Sequence, residues 1–276
     1  MSERVGAAAS LRSRFAFNQA TAKYWPLPDA VAGCVAAGVT NIGLWREPVA
    51  EYGLDATNAL LRETGLSVTS LCRGGFFTTD GWYDDNRRAI DEAAALGTPV
   101  LVLVSGGLPA GSRDIDGARE RVADAIGQLA PHAAACGVTL AIEPLHPMFA
   151  SDRCVIVTLG QALDIAERFD AGTVGVTVDT YHLWWDDQAL TQIGRAGERV
   201  AIFQIADWAT PLPAGVLTGR VMPGDGCVQQ RRYLDAVTAA GYAGPIEVEI
   251  FNEEIWARPG AETLQRAIDG YLETLR

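Results

Sequence analysis

The sequence predicts an α/β fold, a single (β/α)8 barrel of parallel strands. Strand-like and helix-like segments alternate along the whole chain, and glycines follow many of the predicted helices, which is typical of a repeated strand–helix unit. The strand-like segments are almost entirely apolar, as in parallel strands that are buried on both faces. At 276 residues, the chain has the length of one such barrel.

Eight strand–helix pairs are predicted in order. The first four helices end at Gly38, Gly65, Gly97 and Gly137. The strands of these pairs are 15–18, 41–45, 66–71 and 100–104, and their helices are 29–37, 54–64, 84–96 and about 114–136. The last four strands are 138–143, 174–179, 200–206 and 246–251, with helices 158–169, about 187–197, about 230–240 and 261–274.

The same pattern gives the domain boundaries. Residues 1–14 lack the apolar segment of a signal peptide and are expected to form a flexible N-terminal leader, while 15–276 form one barrel domain. A doubly wound open sheet is the competing architecture, but the chain around the first strand reads FNQATAKYW and lacks the GxGxxG of that fold. The glycine-rich segment 105–112 lacks the GK[ST] ending of a phosphate loop and is expected to form a turn.

Charge and composition exclude several classes of function. The net charge of −12, without a basic run, argues against a nucleic-acid partner. No apolar run reaches the roughly 20 residues of a membrane span, so no membrane partner is expected. Five scattered cysteines predict reduced thiols in a cytoplasmic protein. Lys23 is the only lysine, which removes most Schiff-base mechanisms.

Tryptophans collect in the loops that follow the predicted strands. Flat aromatic walls suit the apolar faces of sugars, and they suit a subunit interface equally well. We therefore expect a homo-oligomer and take Trp25 and Trp184 as candidate substrate contacts. The full set is Trp25, Trp45, Trp82, Trp184, Trp185, Trp208 and Trp256.

Acidic residues stand at the ends of three predicted strands. Strand alternation points Glu143, Asp179 and Glu249 into the barrel, where they would repel one another unless a cation lay between them. Gln204 takes the equivalent position on strand seven. This all-oxygen set favours Mn²⁺ or Mg²⁺ over Zn²⁺, with Co²⁺ as a further alternative. Glu247 also points inward, one layer deeper, so either Glu247 or Glu249 could be the strand-eight ligand.

Several motifs in the second half resemble the xylose isomerase-like TIM-barrel superfamily, most of all its sugar isomerase and epimerase branch. They are EPLHP at 143–147, DTYH at 179–182, QIADW at 204–208, RVMPGDG at 220–226 and GPIEVEIF at 244–251. The resemblance implies a divalent metal held by Glu143, Asp179, the position of Gln204, and Glu249. It also implies substrate contacts from His182 and Arg220. The family's usual strand-seven histidine is Gln204 here.

We hypothesise a divalent-metal-dependent sugar isomerase or epimerase that works by proton abstraction next to a carbonyl, through a metal-bound enediolate. Glu143 and Glu249 would be the catalytic acid and base, and Asp207 would support the substrate site. The expected substrate is an unphosphorylated keto sugar or polyol. The alternatives are an inosose-type dehydratase and, because of Gln204, a barrel without turnover that serves as a binding subunit. An apurinic-site endonuclease would need more histidines than the three present.

Overall fold

The structure, a computed structural model in which residues 11–276 are described, confirms the barrel. Eight parallel strands close in the order β1-β8-β7-β6-β5-β4-β3-β2. The strands are β1 Phe15–Asn18, β2 Asn41–Trp45, β3 Ser67–Gly75, β4 Val100–Val104, β5 Thr139–Ile142, β6 Val174–Asp179, β7 Val200–Ile205 and β8 Ile246–Val248. The barrel is therefore a single α/β unit of the predicted class.

Helices connect these strands and cover the outside of the barrel. Four of the strands have the bounds that the sequence predicts, and most long helices lie within two residues of their predicted limits. The helices are α1 Leu27–Ala36, α2 Arg46–Tyr52, α3 Leu54–Thr64, α4 Trp82–Ala95, α5 Ile115–Cys136, α6 Leu159–Ala166, α7 Thr180–Leu183, α8 Ala189–Ala196, α9 Gln230–Ala239, α10 Glu253–Trp256 and α11 Gly260–Leu275.

The third strand is the largest departure from the predicted elements. The prediction ended it at Leu71, but β3 continues to Gly75. The side chain of Asn86 explains the extension, since its Oδ1 accepts from the Gly75 N–H and its Nδ2 donates to the Gly75 carbonyl. This extension places Arg73 at the carboxyl end of the barrel, beside the acidic residues.

Strand alternation separates two apolar layers. Leu140 and Ile142 of β5 pack outward in the large core between strands and helices. Ala141, between them, points inward and packs in a small cluster at the barrel axis. The other buried members of this inner cluster are Cys72, Val100, Val102 and Ile202. The predicted alternation of inward and outward residues on this strand is therefore confirmed.

The chain is packed against the barrel from residue 11 onward. Residues 11–14 form a helical turn, and the Leu11 carbonyl accepts from the hydroxyl of Tyr271. The side chain of Arg14 donates to the Gly244 carbonyl. Residues 1–10 of the expected leader lie outside the described residues. Within the described chain, the helices are too short or too polar to cross a membrane.

Candidate active site

The carboxyl ends of β5 to β8 bring the predicted site residues to one end of the barrel. Asp179 at the end of β6 stands opposite Gln204 of β7, and Gln204 stands opposite Glu247 of β8. Glu143 and Glu249 follow directly after β5 and β8. All five side chains are buried. We call Glu143, Asp179 and Glu249 the acid cluster.

The acid cluster has an internal cation in Arg220. Nη1 of Arg220 donates to Oδ2 of Asp179 at 3.0 Å and to Oε2 of Glu249 at 2.9 Å. The sequence favoured a metal between the acids over neutralising arginines, because few arginines stand near them in the chain. Arg220, 41 residues after Asp179, nevertheless returns to the cluster through the loop that follows β7 and neutralises part of its charge, while the metal remains a prediction.

Arg220 neutralises only part of the negative charge of the acid cluster. Burial, followed by the charges of Glu249 and Asp179, raises the pKa of Glu143 well above its usual value. Burial also raises the pKa of Asp179, although Arg220 opposes the shift. Burial raises the pKa of Glu249 to about 8 against the opposing effect of Arg220. A carboxyl group with the pKa of Glu249 can gain and lose a proton near neutral pH.

His182 lies beside the acid cluster with a defined tautomer. Its Nδ1 accepts from the backbone N–H of His146 at 3.1 Å, so the proton of the neutral ring is on Nε2. Burial and Arg220 lower the pKa of His182 well below its usual value, which keeps the ring neutral. Nε2 lies 3.0 Å from Nη2 of Arg220, where two donors face each other. An acceptor placed to one side of this pair, within hydrogen-bond distance of both nitrogens, such as a substrate oxygen, would satisfy both groups.

Glu247 belongs to a separate layer below the acid cluster. Its Oε2 accepts from Nδ2 of Asn18 and Nε2 of Gln204, each at 2.9 Å. Its Oε1 accepts from the hydroxyls of Thr69 and Ser70. These four donors come from β1, β3 and β7 and occupy both carboxylate oxygens. Glu247 is thus a deep anchor of the barrel interior, while Glu249 faces the cavity.

The oxygen atoms around the cluster fit a divalent cation. Ligand atoms of Glu143, Asp179 and His182 lie within 4.8 Å of one another. Oε1 of Gln204 is buried without a hydrogen-bond partner, because Nε2 of the same amide is the group that bonds to Glu247. Carboxylate and amide oxygens suit a hard ion such as Mn²⁺ or Mg²⁺. Such an ion would compete with Arg220 for the carboxylates.

Asp207 holds the loop that carries Arg220. Its Oδ1 accepts from the backbone N–H groups of Trp208 and Val228, and its Oδ2 accepts from that of Gly224. These bonds engage both carboxylate oxygens, so Asp207 supports the site through the loop that carries Arg220, and a direct substrate contact stays a prediction. Its place is structural, because it ties the turn after Arg220 to the end of β7.

The tryptophans do not share one wall around the cluster. The Trp25 indole packs in the helical layer, where a Cβ added at Gly33 or Gly260 would lie 2.1 or 2.0 Å from it. Trp184 packs against Trp208 with ring centroids 5.3 Å apart. The structure does not bring Trp25 to the acid cluster, so the substrate contact expected for it is not supported. Trp184 belongs to an aromatic group behind His182.

Two arginines that the sequence analysis missed line the cavity of the acid cluster. This cavity has a volume of about 30 Å³, and its walls include Arg73, Arg153 and Arg220 together with Glu143 and Glu249. Arg73 follows directly on the predicted end of the third strand and Arg153 lies in the loop after β5. A basic residue just beyond a barrel strand was the available signal, because that edge carries the active site in this fold.

The chain is similar in sequence to known proteins. A family model described as "Xylose isomerase-like TIM barrel" matches residues 31–274. A 3-dehydroshikimate dehydratase of Pseudomonas aeruginosa is 34% identical in an alignment of 259 residues that covers 88% of this chain and 38% of that protein. An inosose isomerase of Halalkalibacterium halodurans is 28% identical over 142 residues, covering 50% of this chain and 49% of that protein. The chain thus spans half or less of these curated relatives.

Solved structures give the same fold. Protein SMc04130 of Sinorhizobium meliloti is 45% identical, with a TM-score of 0.91 over 95% of this chain and 98% of that chain. The IOLI protein with a bound zinc atom is 20% identical, with a TM-score of 0.82 over 95% of this chain and 98% of that chain. The second likeness concerns the fold alone.

Proposed function

Because this chain belongs to the xylose isomerase-like TIM-barrel family, we propose that it is a divalent-metal-dependent enzyme that removes a proton from a carbon next to a carbonyl group. The substrate class is a small polyhydroxylated ketone, and the reaction is an isomerisation or epimerisation. The observation that carries this proposal is the pair of acids Glu143 and Glu249, which line one cavity and have raised pKa values.

The two acids have different surroundings, which suits two different roles. No hydrogen bond to the Glu143 side chain is found among residues 11–276, so this carboxylate is free to approach a substrate proton. Glu249 is held by Arg220 at 2.9 Å. One of them would remove the proton and the other would return a proton to the opposite face in an epimerisation. Return to the neighbouring carbon would give an isomerisation.

His182 and Arg220 bind and orient the substrate. The Nε2–H of His182 would donate to a substrate oxygen, and Nη2 of Arg220 would donate to the same oxygen or its neighbour. Apolar walls from Trp45, Leu145 and Phe251 exclude water from the reacting carbon. These contacts require that the substrate displaces side chains, since about 30 Å³ is the space of one water molecule.

The metal completes the proposal. Glu143, Asp179, Gln204 through Oε1, and Glu249 would hold it, and Mn²⁺ is the ion that this oxygen set favours. When bound, the ion supplies Lewis-acid polarisation that makes the neighbouring C–H more acidic. The zinc named in the IOLI structure supports a divalent ion in this fold.

Dehydration is the second candidate. It is favoured by the 34% identity to the 3-dehydroshikimate dehydratase, which extends over 88% of this chain. Both candidates begin with the same proton abstraction, and they differ in whether a β-hydroxyl leaves afterwards. Product analysis by NMR distinguishes them, because loss of water creates a new carbon–carbon double bond.

Solvent exchange tests the proposal before the substrate is identified. The protein is incubated in D₂O with Mn²⁺ and a panel of ketoses and inososes, and deuterium at the carbon next to the carbonyl is followed by NMR. Glu143→Gln and Glu249→Gln should each reduce the exchange at least about 100-fold, the usual contribution of a positioned acid or base. The exposed Glu198→Gln is the matched control. Wild-type exchange in both site variants, or exchange that survives chelation of the metal, contradicts the proposal.

A further inference from the structure

Two of the arginines that line the cavity of the acid cluster, Arg73 and Arg153, differ from the other buried or half-buried arginines of the chain. Among residues 11–276, each of those others donates to an acceptor. The acceptors are carboxylates for Arg46, Arg119, Arg220 and Arg266, and backbone carbonyls for Arg12, Arg14 and Arg199. Within the same residues, the side chains of Arg73 and Arg153 make no such bond.

Arg73 is the more deeply placed of the two. Its Nε is buried without a hydrogen-bond partner, and its guanidinium carbon lies 4.1 Å from the ring centroid of Phe76. The carboxylate of Glu47 lies beyond ion-pair distance from the Arg73 guanidinium and attracts it only weakly. Burial lowers the pKa of Arg73, and the charge of Arg153 adds to this effect. Two like charges are therefore held near each other at one cavity, without an acid that bridges them.

The charge balance of the cavity is unusual for this protein. The chain as a whole carries −12, yet the cavity walls combine three arginines with only two carboxyl groups. Glu249 is already bound to Arg220. An unpaired, desolvated guanidinium is unfavourable unless a ligand supplies the missing acceptor. The planar fork of arginine matches the oxygens of a carboxylate or a phosphate.

We propose that Arg73 and Arg153 bind an anionic group of the substrate, a carboxylate or a phosphate, next to the carbon that reacts. This proposal rests on the proposed function for the position of the reacting carbon. It makes the substrate an acidic polyhydroxylated ketone and not a neutral sugar. The acid cluster performs the proton transfer, while the arginine pair selects the substrate by charge.

Equilibrium binding tests the arginine pair without requiring turnover. Three non-reacting probes are titrated calorimetrically: quinate as a ring polyol with a carboxylate, myo-inositol 1-phosphate with a phosphate, and myo-inositol as the neutral ring. We expect at least one anionic probe to bind ten-fold or more tightly than myo-inositol. The preference should shrink as ionic strength rises, because salt screens charge–charge contacts. The comparison of quinate with the phosphate identifies which anion fits.

Variants locate the binding group. Arg73→Met and Arg153→Met should each remove most of the preference for the anion and leave myo-inositol binding unchanged, whereas Arg73→Lys should retain part of it. Arg113→Met, at an exposed arginine, is the matched control. Circular dichroism and thermal unfolding verify the fold. If Arg73→Met does not fold, Arg153→Met and the salt dependence of the wild type decide the question.

Other outcomes contradict the proposal. These are equal binding of all three probes, failure of both anionic probes to bind at millimolar concentration, or a preference that survives in both methionine variants. Exchange of deuterium into a neutral ketose without anion binding would overturn the arginine pair and leave the proposed function intact. Anion binding without exchange in any ketone would support the arginine pair and overturn the proposed function.

Discussion

Replacement of Glu247 by leucine should destabilise the barrel strongly, although this residue lies two positions from the proposed acid Glu249. The Glu247 carboxylate is the acceptor for two amide donors, those of Asn18 and Gln204, and for two hydroxyls. Leucine removes all four acceptor contacts at a fully buried site. The hydroxyls can rotate, but the amide N–H groups remain without a partner.

The size of the effect follows from these two amides. Each buried donor left unsatisfied costs about 1–3 kcal/mol, so Glu247→Leu should lower the free energy of unfolding by about 2–6 kcal/mol. Glu247→Gln should cost less than about 2 kcal/mol. Its carbonyl can face Asn18 and Gln204 while its NH₂ donates to the two hydroxyls, so only the charge assistance of the bonds is lost.

Urea and thermal unfolding followed by circular dichroism measure both variants, with Glu249→Gln as the matched control. A loss of about 2–6 kcal/mol corresponds to a fall in melting temperature of roughly 3–10 °C for a chain of this size, because its entropy of unfolding is about 0.6 kcal/mol/K. Glu249→Gln should not lower the melting temperature comparably, because its carboxylate faces Arg220 and the cavity. A loss below about 1 kcal/mol in Glu247→Leu would refute the anchor role. Equal losses at both positions would refute the separation into two layers.

Three further predictions concern the site and its support. Since the pKa of Glu249 is about 8 in the fold and 4.5 in the unfolded chain, the folded state binds the extra proton. The stability of the metal-free protein should therefore fall between about pH 4.5 and 8. Glu249→Gln should remove the part of this fall that Glu249 causes and gain up to about 3 kcal/mol at pH 7, while the raised pKa of Glu143 leaves a remainder. Urea unfolding at about pH 4.5 and pH 7 would reveal the difference; parallel pH curves for the two proteins would contradict it. Asp207→Asn places an NH₂ against a backbone N–H and should lower stability by about 1–3 kcal/mol and raise the KM for any exchanging ketone; an unchanged KM would argue against its hold on Arg220. Gly260→Ala should lower the free energy of unfolding by about 1–3 kcal/mol through overpacking against Trp25, without changing exchange per folded molecule, and a change in exchange rate would place Trp25 nearer the site than the structure does.

The barrel could be predicted because its signals are local. Alternating inward and outward residues in β5 and glycines after the helices require no knowledge of distant contacts. The extension of β3 to Gly75 could not be predicted in this way, since it depends on the side chain of Asn86 in the following helix. Because the third strand was predicted to end at Leu71, Arg73 was not expected at the end of the barrel.

The candidate site was predictable where strand position decides it. Glu143, Asp179 and Glu249 follow from alternation, and the deeper layer of Glu247 follows from the strand repeat. Arg220 was expected to contact substrate, but its bonds to two acids depend on the path of a long loop. Asp207 looked like a polar residue available to a ligand, and only the backbone N–H groups around it reveal its structural place.

Arg220 gives the acid cluster part of its countercharge from within the chain, through Asp179 and Glu249. Many small metal-binding domains unfold when their metal is withdrawn. Under the proposed function, a chelator should stop proton exchange in this barrel and leave the chain folded, since Arg220 still holds two of the acids. A shortage of the metal would then store the protein in a folded form that the returning ion can reactivate.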